Sequence, residues 1–277
     1  MAFSMSRLKK PIIFCCRPSI YASILLRRLL ANDAVTVNAI VISTRFRRIN
    51  SNLFYDSISV IRHSGWRYFF YLATITELHA LVGGFFGLPS VKQLAKRYSV
   101  PVCATDDVNS LKGLNFIRSS MLPGQANLLL SAMFNQKISA KILQLPHLTS
   151  VNFHPGLLPK FRGVDPVLAS LQHKELHCHV FLHQTSNAFD EGEVIASQRI
   201  DTDNHRSVFW HQYRLFDVGA NMVSEWLKTV WAKDLPINVH PQLGEASYYT
   251  WPSKADVKSI GRLFDGRDLR TLLFDRQ

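Results

Sequence analysis

Residues 12–16 form a short, unbroken apolar run, residues 19–32 carry apolar positions at helical spacing, and residues 35–43 alternate back to a strand-like pattern. A change of period from strand to helix and back predicts a βαβ opening. The turn after the first strand, Arg17-Pro18-Ser19, lacks the glycine triad that wraps a dinucleotide pyrophosphate. A nicotinamide or flavin cofactor is therefore not expected there. Residues 44–88 are irregular, with a basic opening (Arg45, Arg47, Arg48), then Arg62 and Arg67, then an aromatic-rich apolar run over 68–88, and they read as an insertion. Strand and helix alternate again beyond it. The pattern predicts a helix over 90–98, strands over 100–103 and 127–131, a short helix over 139–143 and a strand over 150–154 stopped by Pro155. Two further β-like segments (179–183 and 193–200) precede a long helix over about 207–230.

The sum is an α/β protein built on an open, mainly parallel, doubly wound sheet with a mixed later edge, a Rossmann-like arrangement that places ligands at the carboxyl ends of the central strands. A main domain over 1–235 is expected, with residues 236–277, rich in Pro, Gly, Ser and Tyr, as a tail packed on it.

Composition narrows the setting. With 277 residues, 47% of them hydrophobic, the chain can bury a full-sized core. The net charge of +12 favours anionic partners: a polyglutamylated cofactor, a phosphorylated substrate, RNA or an acidic membrane surface. Cys15, Cys16, Cys103 and Cys178 have neither metal spacing nor a disulfide framework, which points to a reduced cytoplasm. Residues 11–16 are too few for a signal-peptide core. The 68–88 run contains Glu77, His79 and Gly83-Gly84, which count against a membrane span. Two readings of it stand side by side: packing against the core or a partner subunit, and an interfacial helix with cationic flanks at the inner membrane surface.

Asn152 and His154 lie two apart on a predicted strand, so both side chains leave the same face and converge on one bound group. Residues 155–163, Pro-Gly-Leu-Leu-Pro-Lys-Phe-Arg-Gly, form a stiff loop beyond them, and Asp190 sits in a turn-like Phe-Asp-Glu-Gly sequence between two strands, where a carboxylate reaches back to the histidine. Asp190 and Glu191 are adjacent on a turn and leave no room for a sugar between them, which excludes a two-carboxylate glycosidase. His147, His173, His177 and His179 read as surface or turn residues, and no metal site is expected.

The string Asn-x-His-Pro-x-Leu-Leu-Pro-x-x-Arg-Gly, followed by a strand ending in His and then Asp-x-Gly, resembles the folate-dependent formyltransferase family, which includes methionyl-tRNA, glycinamide ribonucleotide and sugar N-formyltransferases. The resemblance implies a catalytic triad of Asn152, His154 and Asp190 and 10-formyltetrahydrofolate as co-substrate. It places the folate pocket at Phe134, Gln136, Ile138 and Leu143 with Ser186, Asn187, Ala188 and Phe189, and puts His183 in the same region. It departs from the family where Glu191 adds a charge beside the site. The acceptor implied is an amine: an amino sugar, or another small or lipid-linked amine. Residues 236–277 are too short for the C-terminal β-barrel with which methionyl-tRNA formyltransferases hold tRNA, which weighs against tRNA as partner. Hydrolysis of 10-formyltetrahydrofolate and a non-catalytic folate-binding or membrane-associated scaffold are the remaining alternatives.

Overall fold

The computed structural model describes residues 9–46, 53–84, 87–268 and 270, so Arg47 and Arg48 of the basic run and Phe85 and Phe86 of the apolar run lie outside the described residues. In chain order its elements begin with β1 (Lys10–Cys16), α1 (Ile20–Leu30) and β2 (Val35–Ser43), the expected βαβ unit. Ser19 starts α1 by accepting the Ala22 N–H at its Oγ, which satisfies one of the free donors of the first turn.

The insertion is helical where the sequence pattern reads as irregular: α2 (Leu53–Ser64), α3 (Trp66–Ala73), a π-helical turn (Thr74–Leu78) and α4 (His79–Val82). Tyr68, Tyr71 and Ile75 form its buried face. The Tyr71 hydroxyl pairs with that of Tyr21 on α1 at 2.9 Å and donates to Gln212 Oε1 at 2.8 Å, so this face is packed on the core. Trp66, Phe70, Leu78 and Leu81 remain exposed on the other. Aromatic residues on both faces hide the helical period. Among the described residues no helix is long and apolar enough to cross a membrane.

The chain continues through α5 (Val91–Arg97), β3 (Val102–Thr105), α6 (Leu111–Ser120), β4 (Asn127–Ala132), α7 (Ala140–Leu143) and β5 (Leu148–His154). A short β6 (Arg162–Gly163) and α8 (Pro166–Gln172) lead to β7 (His177–Gln184), β8 (Val194–Asp201) and the long α9 (Val208–Thr229). The sequence pattern misses α6 and α8. α8 starts at Asp165-Pro166, with the Asp165 side chain accepting from Leu168 N and proline at the first helical position, a start signal inside what reads as loop. Strand β3 begins two residues later than expected, after Pro101.

The sheet order is β3-β2-β1-β4-β5-β7-β8, parallel through β5 and antiparallel at β5–β7 and β7–β8. Both faces of β1 and β4 are buried, which is why these strands read as continuous apolar runs. Ile12, Phe14, Leu128 and Leu130 face α1 and α9 on one side, whereas Ile13, Cys15 and Leu129 face Ile117 of α6 and Ile142 of α7 on the other. The chain winds one way from β1 to β3 and the other way from β4, so the carboxyl ends of β1, β4 and β5 flank the topological switch point. The tail carries β9 (Tyr248–Tyr249), paired with β6, and α10 (Lys254–Ile260), packed against α2 and α8.

Candidate active site

Strand alternation divides the end of β5 between two tasks. Phe153 points into the core, its ring 4.7 Å from that of Phe216 on α9, while Asn152 and His154 point the other way. His154 is buried between two acceptors: Nδ1 lies 3.3 Å from Asp190 Oδ1 and Nε2 lies 2.8 Å from the Phe161 carbonyl. Only the imidazolium donates from both nitrogens, so the surroundings select the charged ring. Burial opposes that charge, but the Asp190 carboxylate and the Phe161 carbonyl outweigh it and hold the pKa above the ordinary value. For Asp190, burial again favours the neutral form, yet His154 and the Gly163 N–H bring the pKa down to about 2.

Asp190 reaches this position from a left-handed backbone, φ 57°, and its Oδ2 accepts the Gly163 N–H at 3.0 Å. Gly163 itself has φ 99°, a conformation that favours glycine. Gly156 leaves the other approach open, since a Cβ there would lie 2.7 Å from His154 Nε2.

Asn152 is held in one orientation. Its Oδ1 accepts from Ser131 Oγ at 2.8 Å, and its Nδ2 donates to His183 Nε2 at 3.1 Å and to Asp190 Oδ1 at 3.4 Å. His183 is the neutral member of the pair: burial first, and then the neighbouring His154 charge, bring its pKa down to about 4. Its Nδ1–H donates to the Gln184 carbonyl at 2.8 Å, which leaves Nε2 free to accept from Asn152. The 4.0 Å approach of His183 Nε2 to Asp190 is accordingly no ion pair.

A narrow cleft of about 50 Å³ opens beside these groups, lined by Asn152, His183 and Asp190 together with Phe134, Ile138, Ser186, Ala188 and Phe189. It is smaller than the roughly 300 Å³ of an ordinary ligand pocket, and Phe189 at its edge is exposed. A larger hollow of about 390 Å³ lies at the amino ends of β4 and β5, between Arg118, Met121 and His147. It lies at the opposite ends of these strands from Asn152 and His154 and contains none of the expected site residues.

Of the expected pocket residues, Leu143 and Asn187 stand outside the cleft lining, and Gln136 lines it with its amide engaged. Gln136 Oε1 accepts from Val108 N at 2.6 Å, and its Nε2 donates to Ser43 Oγ at 2.7 Å and Thr105 O at 2.9 Å. It is a latch between loops. Leu143 does not line the cleft and packs with the core cluster around Leu129 and Ile142. Asn187 is exposed and also stands outside the lining. Glu191, the added charge, accepts from Arg162 Nη1 at 3.1 Å. Arg45 is no free loop cation: its Nε donates to the Asp106 carbonyl at 2.8 Å.

Sequence reasoning missed Ser131, Arg162 and Gln242, and it missed the Phe161 carbonyl and the Gly163 N–H. Ser131 did leave a signal, a hydroxyl at the end of an apolar strand. The other four act through the backbone or through tertiary contacts. Among the described residues no three His, Cys, Asp or Glu side chains come together to hold a metal ion.

Residues 92–227 match the family model described as Formyl transferase. The methionyl-tRNA formyltransferase of Thermotoga maritima is 28% identical over 138 residues, 50% of this chain and 43% of its own length. The chain spans about half the length of the curated relatives it matches. Two solved structures share the fold. WlaRD, a sugar 3N-formyl transferase determined in the presence of dTDP and 5-N-formyl-THF, superposes with a TM-score of 0.57 at 15% identity, covering 94% of this chain and 80% of that one. An N-formyltransferase from Helicobacter canadensis, in complex with folinic acid and dTDP-3-aminofucose, has a TM-score of 0.57 at 14% identity, covering 94% and 82%.

Proposed function

We propose that this chain, whose residues 92–227 match the formyl transferase family model, moves a formyl group from 10-formyltetrahydrofolate to the amine of a small acceptor, with an amino sugar as the acceptor class. The observation that carries this reading is the clustering of Asn152, His154 and Asp190 beside the carboxyl end of β5, with Asn152 and Asp190 lining one cleft and the buried His154 paired to Asp190. The cleft also fits the co-substrate in kind: Phe134 and Ile138 offer apolar walls to a flat ring, and the 186–190 loop offers backbone polar groups.

The folate supplies an already activated one-carbon unit; transfer to an amine puts negative charge on the formyl oxygen and requires a proton at the departing nitrogen. Asn152 Nδ2 is a donor for that oxygen, and the His154 imidazolium becomes the second when its Nε2–H exchanges the Phe161 carbonyl for the substrate. The bond from Asn152 to Asp190, at 3.4 Å, is the weakest that Asn152 makes and the one most readily exchanged for a substrate atom. Asp190 keeps His154 charged until the proton is needed. His183 and Ser131 hold the Asn152 amide so that its N–H, not its oxygen, faces the cleft.

The amino-sugar acceptor is supported by the fold-level likeness to sugar N-formyltransferases over most of the chain. A second reading, formylation of initiator tRNA, is favoured by the sequence relatives and by the net charge of +12. The outward face of the insertion, with Trp66, Phe70 and Leu81 exposed beside Arg62 and Arg67, supports a peripheral contact with an anionic membrane. Sedimentation with anionic liposomes, for the intact chain and a variant with these three apolar residues made polar, tests that contact. For the reaction itself, the protein is incubated with 10-formyltetrahydrofolate and either nucleotide-linked amino sugars or methionyl-tRNA, and products gaining one carbonyl are sought by mass spectrometry. A sugar product supports the first reading and a tRNA product replaces it with the second. Absence of any formylated amine, together with absence of folate binding, removes both.

A further inference from the structure

The tail segment 240–249 crosses both halves of the site, and its backbone is pinned at each end. His240 and Val194 exchange two N–H···O bonds of 2.8 Å at one end. At the other, Arg162 N donates to Ser247 O at 3.2 Å and Val164 N donates to Tyr249 O at 2.8 Å. Between these anchors stands Gln242. Its Nε2 donates to the Asp190 carbonyl at 2.9 Å and to the Gly192 carbonyl at 2.8 Å, and its Oε1 accepts from Arg162 Nη2 at 2.8 Å.

These bonds close a ring around the carboxylate. Asp190 Oδ2 is held by Gly163 N, Gly163 follows Arg162 in β6, and Arg162 binds Glu191 through Nη1 and Gln242 through Nη2. A primary amide has two N–H donors on one nitrogen and a carbonyl acceptor, which is the set these three partners require. Glutamate would set a carboxylate against two carbonyl oxygens, and asparagine is one methylene shorter. The held turn needs holding: Asp190 has φ 57°, a backbone state that an unsupported non-glycine residue seldom keeps. Gln242 does not line the cleft and touches neither His154 nor Asn152, so its effect passes through Asp190.

We propose that Gln242 is a positioning residue: by engaging the Asp190 and Gly192 carbonyls and the Arg162 guanidinium together, it sets the turn that aims the Asp190 carboxylate at His154. This inference rests on the formyl-transfer reading for its purpose, while the hydrogen-bond ring stands on geometry alone. The test compares Gln242→Met, which keeps length and shape without the hydrogen bonds, with Gln242→Glu and with Tyr249→Phe. Tyr249→Phe removes the 2.9 Å bond from the Tyr249 hydroxyl to His173 on the same segment and leaves the Asp190 turn untouched.

In the full-length chain, the His154 imidazole nitrogens are titrated by NMR, melting temperature is recorded, and 5-formyltetrahydrofolate binding is measured by calorimetry. Both Gln242 variants should move the His154 midpoint down toward its ordinary 6.5. Tyr249→Phe should leave it in place even if it melts as early as they do. Gln242 variants titrating like the wild type, or Tyr249→Phe shifting the midpoint equally, would overturn the proposal. If the wild type fails to bind 5-formyltetrahydrofolate, the formyl-transfer reading suffers, and the NMR comparison still decides the role of Gln242.

Discussion

Asp190→Asn tests the electrostatics of the site with little change of shape. The asparagine oxygen can take the Gly163 N–H, at 3.0 Å in the wild type, and its NH2 then faces His154 Nδ1. His154 answers by giving up its Nδ1 proton and keeping the one on Nε2, which donates to the Phe161 carbonyl. The bonds to Gly163 N and between His154 and both its partners survive, while the 3.4 Å bond from Asn152 Nδ2 loses its acceptor and the ion pair is lost. The carboxylate pKa falls from its ordinary 3.8 to about 2 in the folded chain, which corresponds to about 2 kcal/mol in favour of the charged form. Burial, which acts in the opposite direction, is already contained in that figure. Solvent screening is slight, since the two side chains are only 5% and 10% exposed.

The pH dependence has a definite sign. Asp190, with a depressed pKa, contributes stability above the ordinary carboxylate value and loses it as pH falls toward about 2. His154, with a raised pKa, contributes fully below 6.5 and loses its contribution as pH rises through the folded value. The wild type should therefore exceed Asp190→Asn by about 2 kcal/mol in urea unfolding near pH 5–6, with the gap closing at both acid and alkaline ends. Formyl transfer should drop on the order of 100-fold, and the His154 midpoint should fall. An unchanged His154 midpoint, or a stability gap that is flat across pH, would refute the ion-pair account.

Asn152→Ala should retain 5-formyltetrahydrofolate binding in calorimetry while losing about 100- to 1,000-fold in turnover, the range for removing one donor to a developing oxyanion. Turnover should also decline as pH falls toward about 4, because protonated His183 no longer accepts from Asn152; a His183→Gln variant, whose side-chain oxygen can still accept, should flatten that limb of the pH–rate profile. Gly163→Ala brings a Cβ to 2.2 Å from the Tyr249 carbonyl at φ 99°, and should lower stability by about 1–3 kcal/mol in thermal melts. Phe153→Ala, emptying a fully packed site under α9, should lower it by about 3–5 kcal/mol in urea titration.

The parallel sheet was legible because strands buried on both faces leave unbroken apolar runs, as in β1 and β4. The pairing of Asn152 with His154 on one face was legible from strand period alone, the reach of Asp190 from its turn-like setting, and the triad roles from the resemblance. What stayed hidden belongs to two kinds of group. Backbone partners such as the Phe161 carbonyl and the Gly163 N–H have no residue type to betray them. Long-range side-chain partners such as Gln242, 52 residues from Asp190, need the fold before they need a name. Gln136 lines the cleft as its matching position implied, but the sequence did not show that its amide is engaged by Val108, Ser43 and Thr105. The insertion misled because Trp66, Phe70 and Leu81 place apolar side chains on the solvent face, which erases the contrast that marks a helix.

The interleaving of Asn152, Phe153 and His154 also sets which length changes the gene can tolerate. A one-residue deletion early in β5 would shift the frame of the pleat, send Phe153 toward the cleft and turn the two polar side chains against Phe216 and Gly219 of α9. Folding and chemistry would fail together, with no intermediate genotype that keeps one and loses the other. Loss of two residues would preserve the facing and shorten only the reach. Natural length variation should thus accumulate in the loops and the insertion, and any change that survives within this strand should come in pairs.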